Sequence, residues 1–238
     1  MVGSAGSSGS EQLVLNLPHR TAMGREDFLV AGSNERAVAE IDLWPEWPHH
    51  GLILLGPEGS GKSHLAKVFA AHANAIVVSA RDLNSADVPS YLANGACVIE
   101  DLGSDKPFDE TALFHTLNLA RETGGSALMT SRRVAALWNI RLNDLATRLA
   151  ATPVVEIGSP DDTLLRGLLV KLFSDRQLAV DEQVISYMLK HMERSGAAAR
   201  KLVAEIDAHA LRTKSDVTRA FIAKLFREHM SVAISSEE

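Results

Sequence analysis

The chain contains 238 residues, of which 46% are apolar and 23% charged, so it can bury a sizeable core and is unlike a disordered protein. Its net charge of −6 lacks the basic excess of a protein that grips DNA by itself, so we expect any link to DNA to run through a protein partner. A single cysteine, Cys97, excludes an intrachain disulfide, and no apolar run approaches the roughly 20 residues of a membrane span, so we expect a cytoplasmic protein without a membrane contact.

The N-terminal residues divide into a leader and a leucine-rich peptide. Residues 1–10 are rich in glycine and serine and lack the charged and apolar regions of a targeting signal, which indicates a flexible leader. In residues 11–18, leucines alternate with a period of two, as in an extended segment with one apolar face. From the residues alone, this segment is equally a strand of the chain's own sheet or a peptide that docks on another protein. Ser33 or Asn34 then caps a predicted helix that ends before Pro45.

Short apolar runs alternate with helical patterns from Gly51 onward. We expect five buried strands, at Leu52–Leu55, Ile76–Ser79, Ala96–Ile99, Ala127–Thr130 and Val154–Ile157. Predicted helices separate them at Lys62–His72, Pro89–Ala93, Asp109–Glu122 and Leu142–Leu149. Apolar strands that alternate with helices predict a parallel sheet covered on both faces, so residues 19–158 are expected to form an α/β domain.

After Pro160, the strand pattern gives way to amphipathic helices that begin at acidic residues or at serine. Four are predicted, at Asp161–Ser174, Asp181–His191, Ser195–Arg212 and Asp216–Phe226. Residues 159–238 are therefore expected to form an all-α lid with a short tail.

Residues 56–63 match the pattern G-x-x-x-x-G-K-[ST], which follows a predicted strand and leads into a predicted helix. Glycines allow such a loop to curl so that successive N–H groups point at phosphate oxygens. The lysine reaches the β- and γ-phosphates, and the final hydroxyl ligates Mg²⁺. We therefore predict a nucleotide-binding loop that consists of Gly56, Pro57, Glu58, Gly59, Ser60, Gly61, Lys62 and Ser63.

Two acids, Glu100 and Asp101, end the third predicted strand. Beside a phosphate-binding loop, we expect Glu100 to join Ser63 in holding Mg²⁺ and Asp101 to orient an attacking water. Since P-loop ATPases usually place aspartate first, the leading glutamate predicts weak intrinsic ATP hydrolysis. Ser131, at the end of the next strand, is a candidate contact for the γ-phosphate or the water. For the acid pair and for Ser131, the alternative is an ordinary strand-end turn.

Several segments together resemble one family, namely Phe28-Leu29-Val30 with Asn34, then GPEGSGKS, VIED, MTSRR, DLATRL and a helical lid. Over residues 26–228, the chain resembles the AAA+ domain of the bacterial initiator DnaA and of its shortened relatives of the Hda type. The resemblance implies an AAA+ P-loop fold that binds ADP or ATP with Mg²⁺. It also implies an arginine finger at Arg148 that acts in trans on a neighbour's ATP, a nucleotide contact from the lid at Arg200, and adenine-side contacts from Phe28 and Val30.

The leucine-rich peptide is similar to the clamp-binding hexapeptide Q-L-x-L-x-L of Hda-type proteins, with Gln12, Leu13, Leu15 and Leu17 in the matching positions. An extended peptide of this kind inserts alternating leucines into apolar pockets. The resemblance implies the DNA polymerase III β sliding clamp and DnaA as partners and DNA as an indirect one, and it leaves open a homodimer. The function it implies is negative regulation of chromosomal replication initiation, by stimulated hydrolysis of the ATP bound to DnaA. In keeping with this, we expect no DNA-binding domain after the lid.

Two other functions stay open. A self-acting AAA+ ATPase of the helicase-loader type would hydrolyse its own ATP and bind single-stranded DNA, and the acidic net charge and the leading Glu100 argue against it. A passive clamp adaptor would use the P-loop only to keep its core folded. One departure from the family is Arg132, which stands where the relatives commonly carry aspartate and reverses the local charge.

Overall fold

A computed structural model describes residues 29–104, 106–213 and 215–234, and the side chains of the last segment through Arg227. The leader, the leucine-rich peptide and Phe28 lie outside these residues. Within the described residues, no helix combines the length and the apolar character that crossing a membrane requires.

The centre of the molecule is a parallel five-stranded sheet, as the sequence predicts. Its strands are β1 (Gly51–Leu55), β2 (Ile76–Ser79), β3 (Ala96–Leu102), β4 (Ser126–Ser131) and β5 (Val154–Glu156). They are arranged in the order β2-β3-β4-β1-β5, and every neighbouring pair is parallel. β1 therefore lies between β4 and β5, and the loop that leaves its carboxyl end meets the ends of both neighbours.

Helices cover both faces of this sheet. They are α1 (Glu35–Asp42), α2 (Lys62–Ala73), α3 (Val88–Tyr91), α4 (Glu110–Thr123) and α5 (Asn143–Ala151). Successive residues of β1 face opposite sides, since Leu54 packs with Leu65 and Phe69 of α2, whereas Ile53 packs in a second cluster with Leu113 of α4. Both strand faces are thus apolar, which is why the strand sequences are continuous apolar runs instead of alternating ones.

The first helix is shorter than predicted. α1 ends at Asp42, whereas the sequence indicated a helix up to Pro45. The residue before a proline is disfavoured in the helical conformation, and Trp44 turns instead to pack edge-on against Phe69 at 5.8 Å. Trp47 stacks on the same ring at 4.9 Å, and its indole Nε1 donates to the Glu40 carbonyl at 2.8 Å. These contacts fix α1 against α2.

Four C-terminal helices share a separate hydrophobic core, as predicted. They are α6 (Asp162–Asp175), α7 (Glu182–His191), α8 (Gly196–Thr213) and α9 (Arg219–Ile234), and their core includes Leu165, Phe173, Met188, Val203 and Ile222. The side chains of Asp161 and Asp181 accept hydrogen bonds from the first turns of α6 and α7. α9 begins later than predicted, because Thr218 and not Asp216 caps it, through its hydroxyl and the Phe221 N–H at 3.3 Å. We call residues 160–227 the lid.

Candidate functional site

Residues 56–63 form the loop between β1 and α2, and its glycines are sterically required. The Gly56 N–H donates to the Ser131 carbonyl at 3.1 Å, and a Cβ at Gly56 would clash with the Ile157 carbonyl of the neighbouring segment. Gly59 and Gly61 have φ of +74° and +102°, in the region that side chains disfavour. The loop is thereby held at the carboxyl edge of the sheet with α2 starting directly after it, the arrangement that binds phosphate in other P-loop proteins.

Lys62 is the buried cation of this loop. It is 7% exposed, and its Nζ donates to the carbonyls of Gly56 and Pro57, each at 2.7 Å. Burial lowers the pKa of Lys62 and the nearby Arg132 lowers it further, while Asp101 and Glu58 raise it. The ammonium group is therefore partly desolvated and close to a second cation, so an additional anion here would gain from both charges.

The predicted acid pair lies in a β-bulge that the sequence did not predict. The β3–β4 register shifts between Ile99 and Leu102, and Asp101 adopts a φ of +63°. The Asp101 N–H donates to the Thr130 hydroxyl at 3.1 Å, which holds this conformation. A bulge re-aims side chains, and here Asp101 is exposed and lines a cavity of about 290 Å³ together with Arg132.

Glu100 and Ser63 are the candidate ligands for Mg²⁺. The Oε1 atom of Glu100 is buried and has no hydrogen-bond partner among the described residues. This fits a carboxylate whose partner is a cation or a cation-bound water. Ser63 is exposed in the first turn of α2. Within the described ranges, no cluster of three or more His, Cys, Asp or Glu side chains is arranged to hold a metal. The unpartnered Glu100 oxygen and the exposed Ser63 hydroxyl fit Mg²⁺ as nucleotides carry it, with few protein ligands and the remainder from phosphate and water.

Ser131 is buried and engaged within the protein. Its hydroxyl lies 2.8 Å from the Leu102 carbonyl and 2.7 Å from the Arg133 carbonyl, and it accepts from the Arg133 N–H at 3.1 Å. It thus ties the end of β4 to the turn that follows β3. A catalytic contact of Ser131 stays a prediction, as does the water-orienting role of Asp101.

A second cavity lies between the loop and the lid. Its lining includes Leu29, Asn34, Gly59, His64, Leu164 and Arg200. Asn34 shapes this wall, because its side chain accepts from the Ala31 N–H and donates to the Leu29 carbonyl, both at 2.9 Å. Asn34 precedes α1 as predicted, but its side chain makes no capping bond to the helix. Leu29 lines the cavity, whereas Val30 is 48% exposed, and an adenine contact of Val30 stays a prediction.

Arg200 of the lid lines this cavity together with Gly59 of the loop, and its contact with a nucleotide stays a prediction. Burial lowers the pKa of Arg200. Burial also lowers the pKa of His64 to about 4, with further contributions from Arg200, Lys67 and Lys171. The cavity is thus lined by a cation and a neutral imidazole, and it presents positive charge to the loop.

Arg148 is held on the surface of α5. Leu145 and Leu149 of this helix are buried in the sheet's core, whereas Arg148 is partly exposed with its guanidinium 5.8 Å from the centre of the Phe114 ring. Among the described residues, no carboxylate forms an ion pair with it, and it lines neither of the cavities beside the loop. Its charge is therefore not neutralised by a carboxylate of the described residues.

Sequence reasoning missed three features of the site. Leu29 lines the cavity beside the loop and directly precedes the predicted Val30. His64 directly follows the P-loop motif, so its position in the chain could have indicated that it lies beside the loop. The ion pair between Glu58 and Arg132, at 2.6 Å, joins residues far apart in sequence, and no local pattern indicates it.

No protein-family model and no curated protein sequence matches the chain. Solved structures do. Domain III of the replication initiation protein DnaA from Thermotoga maritima is similar with a TM-score of 0.72 and 16% identity, over 89% of this chain and 98% of that one. AMPPCP-bound DnaA from Aquifex aeolicus is similar with a TM-score of 0.62 and 19% identity, over 76% of this chain and 63% of that one. The Thermotoga maritima RuvB Holliday junction branch migration motor is similar with a TM-score of 0.60 and 17% identity, over 75% of this chain and 61% of that one. At these identities the likeness establishes the fold, and this chain has the AAA+ fold of DnaA domain III.

Proposed function

We propose that this chain binds ADP or ATP at residues 56–63 and regulates replication initiation from that nucleotide-bound state. The observation that carries the first part is the conformation of the loop, with positive-φ glycines, a buried Lys62 and α2 starting directly behind it. Gly59 of the loop and Arg200 of the lid line one cavity. That a structural neighbour, DnaA, was solved with AMPPCP supports a nucleotide as the ligand.

Within this proposal, the residues divide by the part of the nucleotide they contact. Lys62 would exchange its carbonyl partners for the β- and γ-phosphates, and Ser63 and Glu100 would hold Mg²⁺, which would supply screening of the phosphate charge. Arg200 contacts the phosphates from the lid. Leu29 and the wall shaped by Asn34 take the adenine side, together with the predicted contacts of Phe28 and Val30.

We further propose that the chain stimulates hydrolysis of ATP bound to DnaA, with Arg148 as an arginine finger in trans. Arg148 is partly exposed on a helix that Leu145 and Leu149 anchor, and it forms no ion pair with a described carboxylate, which supports this role. Such a finger stabilises charge that develops on a partner's γ-phosphate and is worth about 10³–10⁵ in rate in other systems. The hexapeptide, with Gln12, Leu13, Leu15 and Leu17, would bring the chain to the β sliding clamp, and so to DNA.

The decisive experiment measures ATP hydrolysis by DnaA with this chain and DNA-loaded clamp, each component omitted in turn. The wild-type chain is expected to accelerate hydrolysis only when the clamp is present. Arg148→Ala is expected to remove the stimulation while clamp binding and ADP binding are retained. Arg121→Ala, which removes an exposed arginine from α4, is the matched control and should stimulate like the wild type. Undiminished stimulation by Arg148→Ala would refute the finger.

The same assay separates the alternatives. A Gln12→Ala, Leu15→Ala variant that binds the clamp as tightly as the wild type would refute the docking role of the hexapeptide. Robust hydrolysis by the isolated chain, increased by single-stranded DNA, would favour a self-acting ATPase. Clamp binding without any effect on DnaA would leave a passive adaptor.

A further inference from the structure

A carboxylate of α4 caps the start of α5. The Glu110 Oε2 accepts from the Arg141 N–H at 2.9 Å and from the Leu142 N–H at 2.8 Å. Leu142 is the N-cap residue of α5, and its apolar side chain cannot accept a hydrogen bond. In a capping box, a glutamate at the third helical position accepts from the N-cap N–H, but this position in α5 is Leu145, which is buried in the core. The cap is therefore supplied by another helix.

Glu110 is itself held in a defined place. It is the first residue of α4, directly after Asp109, whose side chain accepts from the Ala112 N–H at 2.9 Å and from the Ser85 hydroxyl at 3.2 Å. Leu113 of the same helix is fully buried in the core of the sheet. The Glu110 side chain is only partly exposed. Its carboxylate thus fixes the start of α5 relative to α4 and to the sheet.

The position of Arg148 depends on where α5 lies. Arg148 follows Leu142 by six residues, which is roughly 9 Å along a helix. At the end of α5, the Thr152 hydroxyl donates to the Arg148 carbonyl at 3.0 Å. The Arg148 guanidinium lies 5.8 Å from the centre of the Phe114 ring, and Phe114 follows Glu110 by one turn of α4. α4 therefore contacts both the start of α5 and the cationic side chain that α5 presents.

We infer that Glu110 is a positioning residue for Arg148: its cap sets the angle at which α5 presents the guanidinium to a partner. The inference rests on the proposed role of Arg148 as a finger in trans. Without the two hydrogen bonds, the start of α5 is no longer attached to α4, and the helix tilts more freely about Leu145 and Leu149. A shift of about 1 Å at a reacting group costs up to about 10²-fold in rate. Glu110 therefore affects the rate in the bound complex more than it affects binding of the partner.

The cap also stabilises the fold, since it satisfies N–H groups at the start of α5 and places a negative charge at the positive end of the helix dipole. A purely stabilising role has a different kinetic signature. It would lower the fraction of folded chain, so that more chain is needed for half-maximal stimulation while the same maximal rate is reached. A positioning role instead lowers the maximal rate at saturating concentrations of the chain.

The test titrates this chain into DnaA carrying ATP, in the presence of DNA-loaded clamp. It separates the maximal rate of stimulated hydrolysis from the half-saturating concentration. Glu110→Ala removes the cap, and Glu110→Gln removes the charge but keeps an acceptor oxygen. Glu122→Ala is the matched control, because it removes an exposed carboxylate from the other end of α4. Circular dichroism and urea unfolding verify that each variant is folded.

Glu110→Ala is expected to lower the maximal rate about tenfold or more and to change the half-saturating concentration by less than about threefold. Glu110→Gln should lower the maximal rate about two- to threefold, since a neutral acceptor forms weaker hydrogen bonds than a carboxylate. Glu122→Ala should behave like the wild type. An unchanged maximal rate for folded Glu110→Ala overturns the inference alone, and if that variant does not fold, an unchanged maximal rate for Glu110→Gln does so. If Arg148→Ala stimulates hydrolysis as the wild type does, the finger itself is refuted, and with it the basis of the inference.

Discussion

Replacement of Gly59 by alanine tests how closely the lid rests on the phosphate-binding loop. A Cβ at Gly59 would lie 2.8 Å from the Cβ of Ser195, the residue whose hydroxyl accepts from the Ala198 N–H at the start of α8. Carbon atoms in van der Waals contact lie about 3.5–4.0 Å apart, so the lid or the loop would have to shift by roughly 0.7 Å or more. Overpacking of this kind costs about 1–3 kcal/mol.

A second cost of this substitution comes from the backbone. Gly59 has a φ of +74°, and a side chain in this region costs about 1–2 kcal/mol. Gly124 separates the two costs, because its φ is +72° and an added Cβ there would have no heavy atom within 4 Å. Gly124→Ala is therefore expected to lower the free energy of unfolding by about 1–2 kcal/mol, and Gly59→Ala by about 2–5 kcal/mol.

Urea unfolding of the two variants measures this difference, and ADP titration measures its effect on the site. Gly59→Ala should bind ADP more weakly, whereas Gly124→Ala should bind it like the wild type. In the Gly59→Ala background, Ser195→Gly removes the clashing Cβ and should recover about 1–2 kcal/mol, since glycine replaces serine at a helix start at a cost of only a few tenths. If Gly59→Ala destabilises the chain no more than Gly124→Ala, the segment around Ser195 moves away from the loop at no cost, and the lid does not rest on the loop.

Two further predictions concern buried titratable groups. Cys97 is fully buried, and burial raises its pKa to about 12. A disulfide reagent at pH 8 should therefore label no thiol in the native chain and one thiol in guanidinium chloride. Rapid labelling of the native chain would contradict this burial. Burial lowers the pKa of His64 to about 4, so the folded state favours the neutral ring. The contribution of the neutral ring to the free energy of unfolding is therefore complete above about pH 6.5 and is lost as the pH falls towards 4. After allowance for solvent screening of this half-buried group, the loss should be about 1–2 kcal/mol by urea unfolding, and His64→Gln should show a correspondingly smaller loss than the wild type.

The parts of the fold that could be predicted are those set by local sequence. The strand around Leu54 is a continuous apolar run because helices cover both sides of the sheet, and a run of this kind is visible without the structure. The loop at residues 56–63 was predictable because local backbone geometry, with positive φ at Gly59 and Gly61, requires its glycines. The starts of α6 and α7 were predictable from Asp161 and Asp181, whose carboxylates bond to the turn directly after them.

The parts that could not be predicted depend on contacts between distant segments. The bulge at Asp101 is held by the hydroxyl of Thr130, which belongs to the next strand. The ion pair of Glu58 with Arg132 joins a loop to the end of a different strand. In the first two cases, tertiary structure selects between local conformations that are each chemically plausible. Asn34 is a different case, because its side-chain amide bonds backward to the nearby residues 29 and 31 instead of forward to α1, and the sequence pattern does not distinguish these two local options.

The two parts of the proposed function are carried by different cores of the molecule. Arg200 belongs to the lid, whose helices share a hydrophobic core of their own and meet the loop where Gly59 approaches Ser195. Arg148 belongs to α5, whose apolar face is embedded in the core of the sheet. A nucleotide that bridges the loop and Arg200 would therefore change the position of the lid while α5 keeps its place. It follows that nucleotide exchange in this chain should act on the surfaces that the lid presents to a partner, and that the arginine finger itself should be equally available with ADP and with ATP.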